Sequence, residues 1–401
     1  MKVLYIATAY PRSEQDIITP WLVETIRRLQ QRGIRVTMFT SSYRGLGEQV
    51  IFGTPVKRFR YFFRRWENLT HDETAVDRVR RGILNKLLAV CYLVAGTWAV
   101  WRLCRHERFD IIHVHWPLPH FLFGWVAART CRAPTVISFH GAELMAVRHG
   151  MRPLRPFLRW AIAKADAITA NSTHTVRAIQ ELCNRPVHIV PYGAEVAEHP
   201  AAEPTGRGPE KQILFVGRLV ERKGVRYLIE AAQLLAQQLP IKVHIVGSGP
   251  EGPGLMELTK RLGLEKTVIF HGQVPADELH RHYANCDVFV LPAVIDAKGD
   301  TEGLGVVLIE ALTYRKPVVA SAVGGITDLV KNEQTGLAVP PGDSQALCVA
   351  LHRILTDPQL AGRLAEAGYQ HVQANYSWPA IIQRLIDIYE ALLQKLADAT
   401  G

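Results

Sequence analysis

Short apolar segments alternate with helical patterns along the whole chain. Runs of four or five mostly apolar residues lie at 3–7, 36–40, 111–115, 135–139, 167–170 and 188–191 in the first half, and at 212–216, 242–246, 267–271, 288–291, 317–320 and 336–339 in the second. Helical patterns such as 21–31 and 227–238 lie between most of them. Strands that are apolar throughout are typical of parallel sheets covered on both faces. The alternation therefore predicts an α/β fold with parallel sheets.

The alternation is interrupted near residues 198–211, a stretch rich in Pro, Gly and Ala that has no periodicity. This composition is typical of a linker. We therefore predict two α/β domains of similar size, residues 1–197 and 211–377, and a last helix over 378–401 with no strand after it. Ligands of open parallel sheets bind at the carboxyl ends of the strands, so two facing sheets would form a cleft for two substrates.

Positive charge is concentrated in one part of the chain. The 401 residues carry a formal net charge of +10, and residues 51–110 contain 12 Lys and Arg against 6 Asp and Glu. Such a surface attracts phosphates, nucleic acid or anionic lipid. The most basic segment alternates cations with aromatic rings: Lys57, Arg58, Phe59, Arg60, Tyr61, Phe62, Phe63, Arg64, Arg65 and Trp66. It could dock on a membrane, or form a strand and a loop with its rings partly in the core; a nucleic-acid partner is not expected.

The longest apolar run, Leu87–Trp101, has 15 residues, fewer than the roughly 20 that span a bilayer. We expect a buried core helix here rather than a membrane-inserted segment. The apolar N-terminus lacks the small-residue cleavage site of a signal peptide and predicts a first strand. Six dispersed cysteines without a CxxC pair argue against a zinc ribbon and fit a reducing compartment. We therefore expect a cytoplasmic protein, with peripheral attachment to the inner face of the membrane as a further option.

The segment 301–312, TEGLGVVLIEAL, is the most informative in the chain. Gly303 and Gly305 permit close backbone approach, and the apolar run after them predicts a helix whose free N–H groups would attract a diphosphate. Glu302 and Glu310 are about two helical turns apart. A carboxylate can accept hydrogen bonds from two vicinal hydroxyls, as ribose offers. A capped surface helix would explain the same pattern.

A second segment, 213–224, has the sequence ILFVGRLVERKG. The predicted strand ends at residue 216, and Gly217, Arg218 and Lys223 follow it. Two cations just past a strand end can clamp phosphate oxygens, and the Arg can do so with two parallel hydrogen bonds. Taken alone, this segment favours a solvated basic turn.

Together the two segments resemble the retaining glycosyltransferases of family 4, whose GR…KG loop precedes an EG-x-G-x-x-x-x-E motif by about 80 residues. The resemblance covers essentially the whole chain. It implies the GT-B architecture, in which two Rossmann-like domains face each other and the C-terminal helix crosses back to the first domain. Residues 1–197 would be the acceptor side and 211–377 the donor side.

The resemblance also implies roles for individual residues. Arg218 and Lys223 would bind the donor diphosphate and stabilise the leaving phosphate, Glu302 would contact the transferred sugar, and Glu310 would hold the ribose. The remaining donor contacts would come from Gly217, Gly303, Leu304 and Gly305. Val274 would also contact the donor, because the segment 271–274 would lie beside the nucleobase.

In the first half, the segment 139–143 has the sequence FHGAE after a predicted strand. His140 matches a family histidine that faces the donor sugar; it could donate a hydrogen bond to a hydroxyl or neutralise developing charge. The alternative is a structural histidine in a loop. Glu143 is a candidate for sugar or acceptor hydroxyls, with a surface role equally open. The family often has a Gly-Gly loop after the first strand, whereas the corresponding residues 8–20 of this chain contain no glycine. The chain also departs from the family at Tyr192 and Glu195, where Asn and Asp are usual.

The implied activity is transfer of a sugar from a nucleotide-diphosphate sugar to an acceptor hydroxyl with retention of configuration, in polysaccharide or glycolipid synthesis. The partners would be the nucleotide sugar, a carbohydrate or lipid-linked acceptor and an anionic membrane surface. No cofactor or metal is expected, because the cations and the helix start would neutralise the diphosphate. A nucleotide-sugar epimerase or phosphorylase on the same fold, or a binding protein without turnover, are the alternatives.

Two motifs are set aside. The segment 247–252, GSGPEG, has the glycine spacing of a dinucleotide-binding loop but lacks the acidic residue at the end of the next strand. His113 and His115 lie on one face of a predicted strand and could bind a metal, but no third ligand occurs at a diagnostic spacing. We expect structural or cleft-lining roles for both histidines.

Overall fold

The computed structural model describes residues 1–16, 18–70, 78, 82–194 and 209–400. The chain divides into two compact units, Met1–Gly193 with Ile381–Gly401, and Ala194–Ala380. Most of the linker expected at 198–211 lies outside the described residues.

The first unit contains an eight-stranded sheet. Its strands are β1 Lys2–Ile6, β2 Arg35–Ser41, β3 Gln49–Ile51, β4 Thr54–Phe59, β5 Ile111–His115, β6 Thr135–Phe139, β7 Ala167–Ala170 and β8 His188–Ile189. Their order is β3-β4-β2-β1-β5-β6-β7-β8, and every pair is parallel except β3 with β4. The predicted α/β class is therefore confirmed. The strand β3 was not predicted, and β4 overlaps the strand that was one of the alternatives for residues 57–66, because both segments mix polar and basic residues with apolar ones.

Helices cover both faces of this sheet. They are α1 Pro20–Gln31, α2 Ile83–His106, α3 Pro117–Cys131, α4 Ala142–His149, α5 Arg155–Lys164 and α6 Thr173–Gln180. Alternate residues of each strand enter different apolar clusters, with Leu4 and Ile6 on one face and Val3 and Tyr5 on the other. Burial on both faces is the reason that these strands are apolar throughout.

The second unit contains a six-stranded, all-parallel sheet. Its strands are β9 Lys211–Val216, β10 Ile241–Val246, β11 Val268–Gly272, β12 Val288–Leu291, β13 Val318–Ser321 and β14 Leu337–Val339. The helices that follow are α7 Val225–Leu235, α8 Gly252–Arg261, α9 Ala276–Asn285, α10 Val306–Thr313, α11 Ile326–Leu329, α12 Ser344–Thr356, α13 Pro358–Tyr376 and α14 Trp378–Thr400. All six predicted strands of this half are present. The strands lie in the order β11-β10-β9-β12-β13-β14. From β9 the chain adds strands first toward one edge of the sheet and then, from β12, toward the other, and doubly wound sheets bind ligands at this switch point.

The last helix, α14, returns to the first unit, as the resemblance implied. From Ile381 onward its residues belong to that unit, and Ile382, Leu385 and Tyr389 pack into the cluster around Tyr5. The hydroxyls of Tyr5 and Tyr389 lie 2.8 Å apart in a hydrogen bond. This helix therefore covers one face of the first sheet.

The apolar helix α2 differs from expectation. Its inner face is buried through Leu88, Tyr92, Gly96, Val100 and Cys104. Its outer face is exposed and apolar, and is formed by Ile83, Leu87, Val90, Val94, Trp98 and Trp101. The expectation of a buried core helix is thus wrong for this face. Among the described residues, α2 is the helix that is long and apolar enough to cross a membrane by length and composition, and 22% of its apolar window is buried.

The basic and aromatic segment 57–66 is split between core and surface. Phe59 and Tyr61 are buried against Tyr92, with ring centroids 5.1 and 5.3 Å from it. Arg58 is also buried, and its guanidinium donates to the carbonyls of Ser41, Tyr10 and Pro11. These three side chains cannot contact a membrane, which corrects the prediction for them.

The remaining side chains of this segment differ in exposure. Phe63, Arg64 and Arg65 are exposed, Trp66 and Phe62 are half-buried, and Lys57 and Arg60 form ion pairs with Glu48 and Glu67.

Candidate active site

The two predicted motifs of the second unit follow neighbouring strands. Strand β9 pairs with β12, with Ile213 opposite Val288, so the loops after both strands emerge at one edge of the sheet. The Val294 N–H donates to the Arg222 carbonyl at 2.9 Å, and the Arg222 guanidinium lies 3.5 Å from an Asp300 oxygen. The loops are therefore bound to each other at the switch point of the sheet.

An ion pair joins the two motifs. The Lys223 ammonium donates to a Glu302 carboxylate oxygen, and the exposed fractions of the two side chains are 10% and 13%. Lys223 ends a short 3-10 turn, and Gly224 follows it at φ +64°. A β-carbon at Gly224 would lie 1.9 Å from the Pro292 carbonyl oxygen. The site therefore requires glycine beside the lysine, which matches the KG pair of the motif.

The glycine-rich loop before α10 is held by backbone contacts. The Gly325 N–H donates to the Glu302 carbonyl at 2.9 Å. A β-carbon at Gly325 would lie 2.0 Å from the Gly303 carbonyl oxygen, and one at Gly324 would lie 2.1 Å from that of Glu302. Gly305 precedes α10 in the left-handed conformation at φ +84° and donates to the Glu302 carboxylate at 3.3 Å. The start of α10 is thus fixed beside Glu302.

The second glutamate of the motif pairs with a tyrosine. Glu310 lies on α10 and accepts a hydrogen bond of 2.6 Å from the Tyr283 hydroxyl on α9. Burial raises the pKa of Glu310, and the hydrogen bond from Tyr283 opposes this by lowering it. The Tyr283 ring stacks on Tyr314 with centroids 5.3 Å apart. Tyr283 was not predicted, because a single tyrosine in a helical pattern carries no signal of its own.

The other predicted donor residues lie at the same edge of the sheet. Gly217 and Arg218 follow β9 directly, and Arg218 is exposed. A β-carbon at Gly247 would lie 2.0 Å from the Gly217 carbonyl oxygen, so GSGPEG packs on the loop after β9. Val274 is half-buried, two residues after the end of β11.

In the first unit, His140 follows β6 and is surrounded by aromatic rings. Its Nε2 lies 3.1 Å from His115 Nδ1 and its Nδ1 lies 3.0 Å from the Tyr192 hydroxyl. The rings of Trp21 and Trp116 lie 4.8 and 4.6 Å from it. Burial lowers the pKa of His140 to about 3. The ring is therefore neutral near pH 7, which suits a hydrogen-bond role and disfavours the charge-neutralising role considered above.

Glu143 is buried in the first turn of α4. One carboxylate oxygen accepts the His140 N–H at 2.8 Å. Among the described residues, the other oxygen has no hydrogen-bond partner. Burial raises the pKa of Glu143 to about 7. An unpartnered buried carboxyl beside His140 can bind a hydroxyl, and this removes the surface role from consideration.

Tyr192 stands where the family has Asn, and the sequence assigned it no role. Its ring is parallel to that of His140, with centroids 5.8 Å apart, and its hydroxyl bonds the histidine. The other departure, Glu195, lies outside the described residues. A large aromatic residue can occupy this position because Trp21 packs against both rings, with its centroid 4.7 Å from that of Tyr192 and 4.8 Å from that of His140.

The pair of histidines on β5 belongs to a hydrogen-bond network. His113 Nδ1 lies 2.6 Å from the Tyr389 hydroxyl and its Nε2 lies 2.6 Å from Ser138 Oγ. Burial lowers the pKa of His113 to about 3. Both ring nitrogens are occupied by hydroxyls, which accounts for His113 without a metal.

Comparisons with known proteins cover both units. Residues 201–371 match the family model described as glycosyl transferases group 1, and residues 21–198 match the model described as glycosyltransferase family 4. A GDP-mannose-dependent alpha-(1-6)-phosphatidylinositol monomannoside mannosyltransferase of Mycolicibacterium smegmatis is 32% identical over 67% of this chain and 73% of its own length. A D-inositol 3-phosphate glycosyltransferase of Corynebacterium urealyticum is 28% identical over 93% of this chain and 90% of its own.

A solved structure shows the same fold. The Anabaena protein Alr3699/HepE, in complex with UDP and glucose, matches 98% of this chain and 100% of its own with a TM-score of 0.67 and 20% identity.

Proposed function

The chain belongs to the family 4 glycosyltransferases, and on this basis we propose that it transfers a sugar from a nucleotide-diphosphate sugar to an acceptor hydroxyl with retention of configuration. The observation that carries the proposal is the Lys223–Glu302 ion pair at the start of α10. It unites a cation for the diphosphate with a carboxylate for the sugar, although 79 residues separate them. A solved structure of the same fold contains UDP and glucose, which supports a nucleotide-sugar donor.

The donor diphosphate would be bound by cations and amides. Lys223 and the exposed Arg218 supply two positive charges in one loop, and the N–H groups at the start of α10 add the positive end of the helix dipole. This arrangement neutralises a diphosphate without a metal, so we expect turnover that does not depend on added Mg²⁺. Glu310, oriented by Tyr283, would accept the ribose hydroxyls.

Retention would follow from attack on the same face of the sugar from which the phosphate leaves. The departing phosphate takes the acceptor proton, and the lysine and arginine stabilise the charge that develops on it. In the first unit, neutral His140 and protonatable Glu143 are candidates for holding sugar or acceptor hydroxyls. The protein acts mainly by positioning the reactants and by electrostatic stabilisation.

The experiment compares Arg218→Ala/Lys223→Ala with Lys260→Ala/Arg261→Ala. Both double variants remove two positive charges from the second unit, but Lys260 and Arg261 are exposed on α8, outside the two motifs. Thermal shifts with UDP-, GDP- and ADP-sugars first identify the donor. Release of its nucleotide is then measured with and without a membrane lipid extract as acceptor source.

The site variant should lose at least a hundredfold in acceptor-dependent nucleotide release, and the control should retain it, since removal of one stabilising donor costs about 10²–10³ in rate. Full activity of the site variant would refute the proposal. Turnover that requires inorganic phosphate would indicate a phosphorylase, and donor binding without turnover would indicate a sensor.

We further propose a lipid-linked acceptor and peripheral attachment to the cytoplasmic face of a membrane. The exposed apolar face of α2 is accompanied by Arg102 and Arg105, whose guanidinium groups lie 5.5 and 5.1 Å from the Trp98 and Trp101 rings. Such a face suits an anionic bilayer, with rings at the interface and cations on lipid phosphates. The name of the mycobacterial relative describes a phosphatidylinositol mannoside as its substrate.

Vesicle co-sedimentation tests the membrane proposal. Val90→Glu/Val94→Glu should abolish binding to anionic vesicles, because both side chains lie on the outer face of α2. Met256→Glu/Val349→Glu is the matched control, since it places two charges at exposed apolar positions of the second unit. Equal sedimentation of all three proteins would refute the proposed surface.

A further inference from the structure

Three histidines converge in the second unit, on the side of the sheet that ends at β11. His244 lies on β10, His271 on the adjacent edge strand β11, and His282 on α9. One ring nitrogen of each lies within 4.8 Å of those of the other two. No sequence motif indicates this cluster, because His271 follows His244 by 27 residues and His282 follows His271 by 11. The parallel pairing of β10 with β11, followed by the return of α9, brings them together.

The rings are arranged with nitrogens toward one another. His244 Nδ1 lies 2.9 Å from His271 Nε2, and the His282 ring centroid lies 4.4 Å from that of His271. His282 Nε2 is buried and, among the described residues, has no hydrogen-bond partner. Its nearest carboxylate is Glu278, one helical turn earlier, whose oxygen lies 3.8 Å away. An unpaired buried nitrogen, on a ring whose centroid lies 4.4 and 5.6 Å from those of two other imidazoles, indicates a missing ligand rather than a closed hydrogen-bond network.

A neighbouring amide orients the first histidine. Gln212 Oε1 lies 2.7 Å from His244 Nε2, so that nitrogen carries the proton and the Nδ1 lone pair is directed toward His271. Metal-binding histidines commonly donate their second ring N–H to a carbonyl or carboxylate in this way.

We propose that His244, His271 and His282 bind one divalent transition-metal ion of the Zn²⁺ type, with Glu278 as an oxygen ligand. Imidazole ligands suit Zn²⁺, Ni²⁺, Co²⁺ and Cu²⁺, whereas Mg²⁺ prefers oxygen. Zn–N bonds of about 2.0–2.1 Å in a tetrahedral site place ligand nitrogens about 3.4 Å apart. In this structure two of the ligand nitrogens lie 2.9 Å apart and all three lie within 4.8 Å of one another, so modest side-chain rotation would bring them to the spacing of a zinc site. The ion would tie α9 to β10 and β11.

The experiment uses the full chain stripped with EDTA and dialysed. Titration with ZnCl₂ is followed by calorimetry, and CoCl₂ is added as a spectroscopic probe. One equivalent should bind, with visible ligand-field bands of a nitrogen and oxygen site and without the charge-transfer bands of a cysteine thiolate. His271→Gln and His282→Gln, on different elements, should each weaken Zn²⁺ binding on the order of a hundredfold, and Gln212→Leu about tenfold.

His280→Gln is the matched control, because His280 lies on the same helix two residues earlier and outside the cluster. It should bind Zn²⁺ like the unmodified protein, and Mg²⁺ should bind to none of them at the same concentration. Two results would overturn the proposal: failure of Zn²⁺, Ni²⁺ and Co²⁺ to bind stoichiometrically to the unmodified protein, or equal binding by the cluster variants and the control. Circular dichroism without metal separates lost binding from lost folding. The outcome does not depend on the proposed transfer reaction.

Discussion

Replacing Glu143 by Gln should change how stability depends on pH. The carboxyl group is buried at the start of α4, accepts one backbone N–H and has one oxygen without a partner among the described residues. Burial disfavours its charged form and raises its pKa from 4.5 to about 7. The Gln side chain has nearly the same shape, keeps an acceptor for the His140 N–H and carries no charge.

The size of the effect follows from the difference in proton affinity. One pKa unit corresponds to about 1.36 kcal/mol, so a rise from 4.5 to about 7 corresponds to about 3 kcal/mol. Between these values the folded protein retains the proton that the unfolded chain has lost, so unfolding releases a proton. Stability is therefore highest below pH 4.5 as far as this group is concerned, and declines as the pH rises to about 7. The variant lacks this decline and should be more stable than the unmodified protein by up to about 3 kcal/mol at pH 8.

Tryptophan fluorescence can follow this change selectively. Seven of the eight tryptophans lie in the first unit, and only Trp378 lies in the second. Urea unfolding between pH 5 and 8.5 should show a smaller pH dependence for Glu143→Gln, while Glu390→Gln, an exposed position on α14, should follow the unmodified protein. Parallel pH curves for all three proteins would refute the reasoning and show that Glu143 is ionised at a normal pKa in the folded state.

Three further substitutions test the donor site. Gly325→Ala should cost about 1–3 kcal/mol and weaken donor binding in thermal shift, because its β-carbon would lie 2.0 Å from a backbone carbonyl oxygen; unchanged donor binding would contradict the proposed loop. Tyr283→Phe removes the hydrogen bond to Glu310 and should raise the KM for donor about tenfold, with little change in the KM for acceptor. Glu302→Gln removes the negative charge paired with Lys223, so calorimetry should show tighter binding of the free nucleoside diphosphate, by about tenfold, together with slower transfer. Weaker diphosphate binding by that variant would show that Glu302 does not compete with phosphate for the lysine.

Much of the fold follows from local pattern. A strand such as β12, VFVL, was predictable because burial on both faces leaves an unbroken hydrophobic run. The strand β3 was missed, and a strand at β4 remained one alternative among others. The reason is that β4 contains Pro55, Lys57 and Arg58, and Arg58 is buried through backbone carbonyls rather than through apolar contact. A buried arginine that is satisfied by backbone has no signature in the sequence.

The candidate site was predictable only where a motif is contiguous. The segments around Lys223 and Glu302 were found separately, and the structure brings them together through adjacent strands. Tyr283 and Tyr192 were missed, because each acts on its partner from a distant part of the chain. The outer face of α2 was missed for a different reason: composition alone does not distinguish a helix buried all round from one with a single face buried.

The pairing of Lys223 with Glu302 also constrains the order of events at the donor site. Two nearly buried charges lose their hydration, and each is compensated mainly by the other. A diphosphate that approaches Lys223 takes over the role of Glu302 as its counterion. The carboxylate then needs new hydrogen-bond donors, and the hydroxyls of a sugar attached to that diphosphate supply them. A nucleoside diphosphate without its sugar would leave Glu302 without this compensation. The same pair can therefore favour the intact donor over the free nucleotide, which would aid release of the product once the sugar has been transferred.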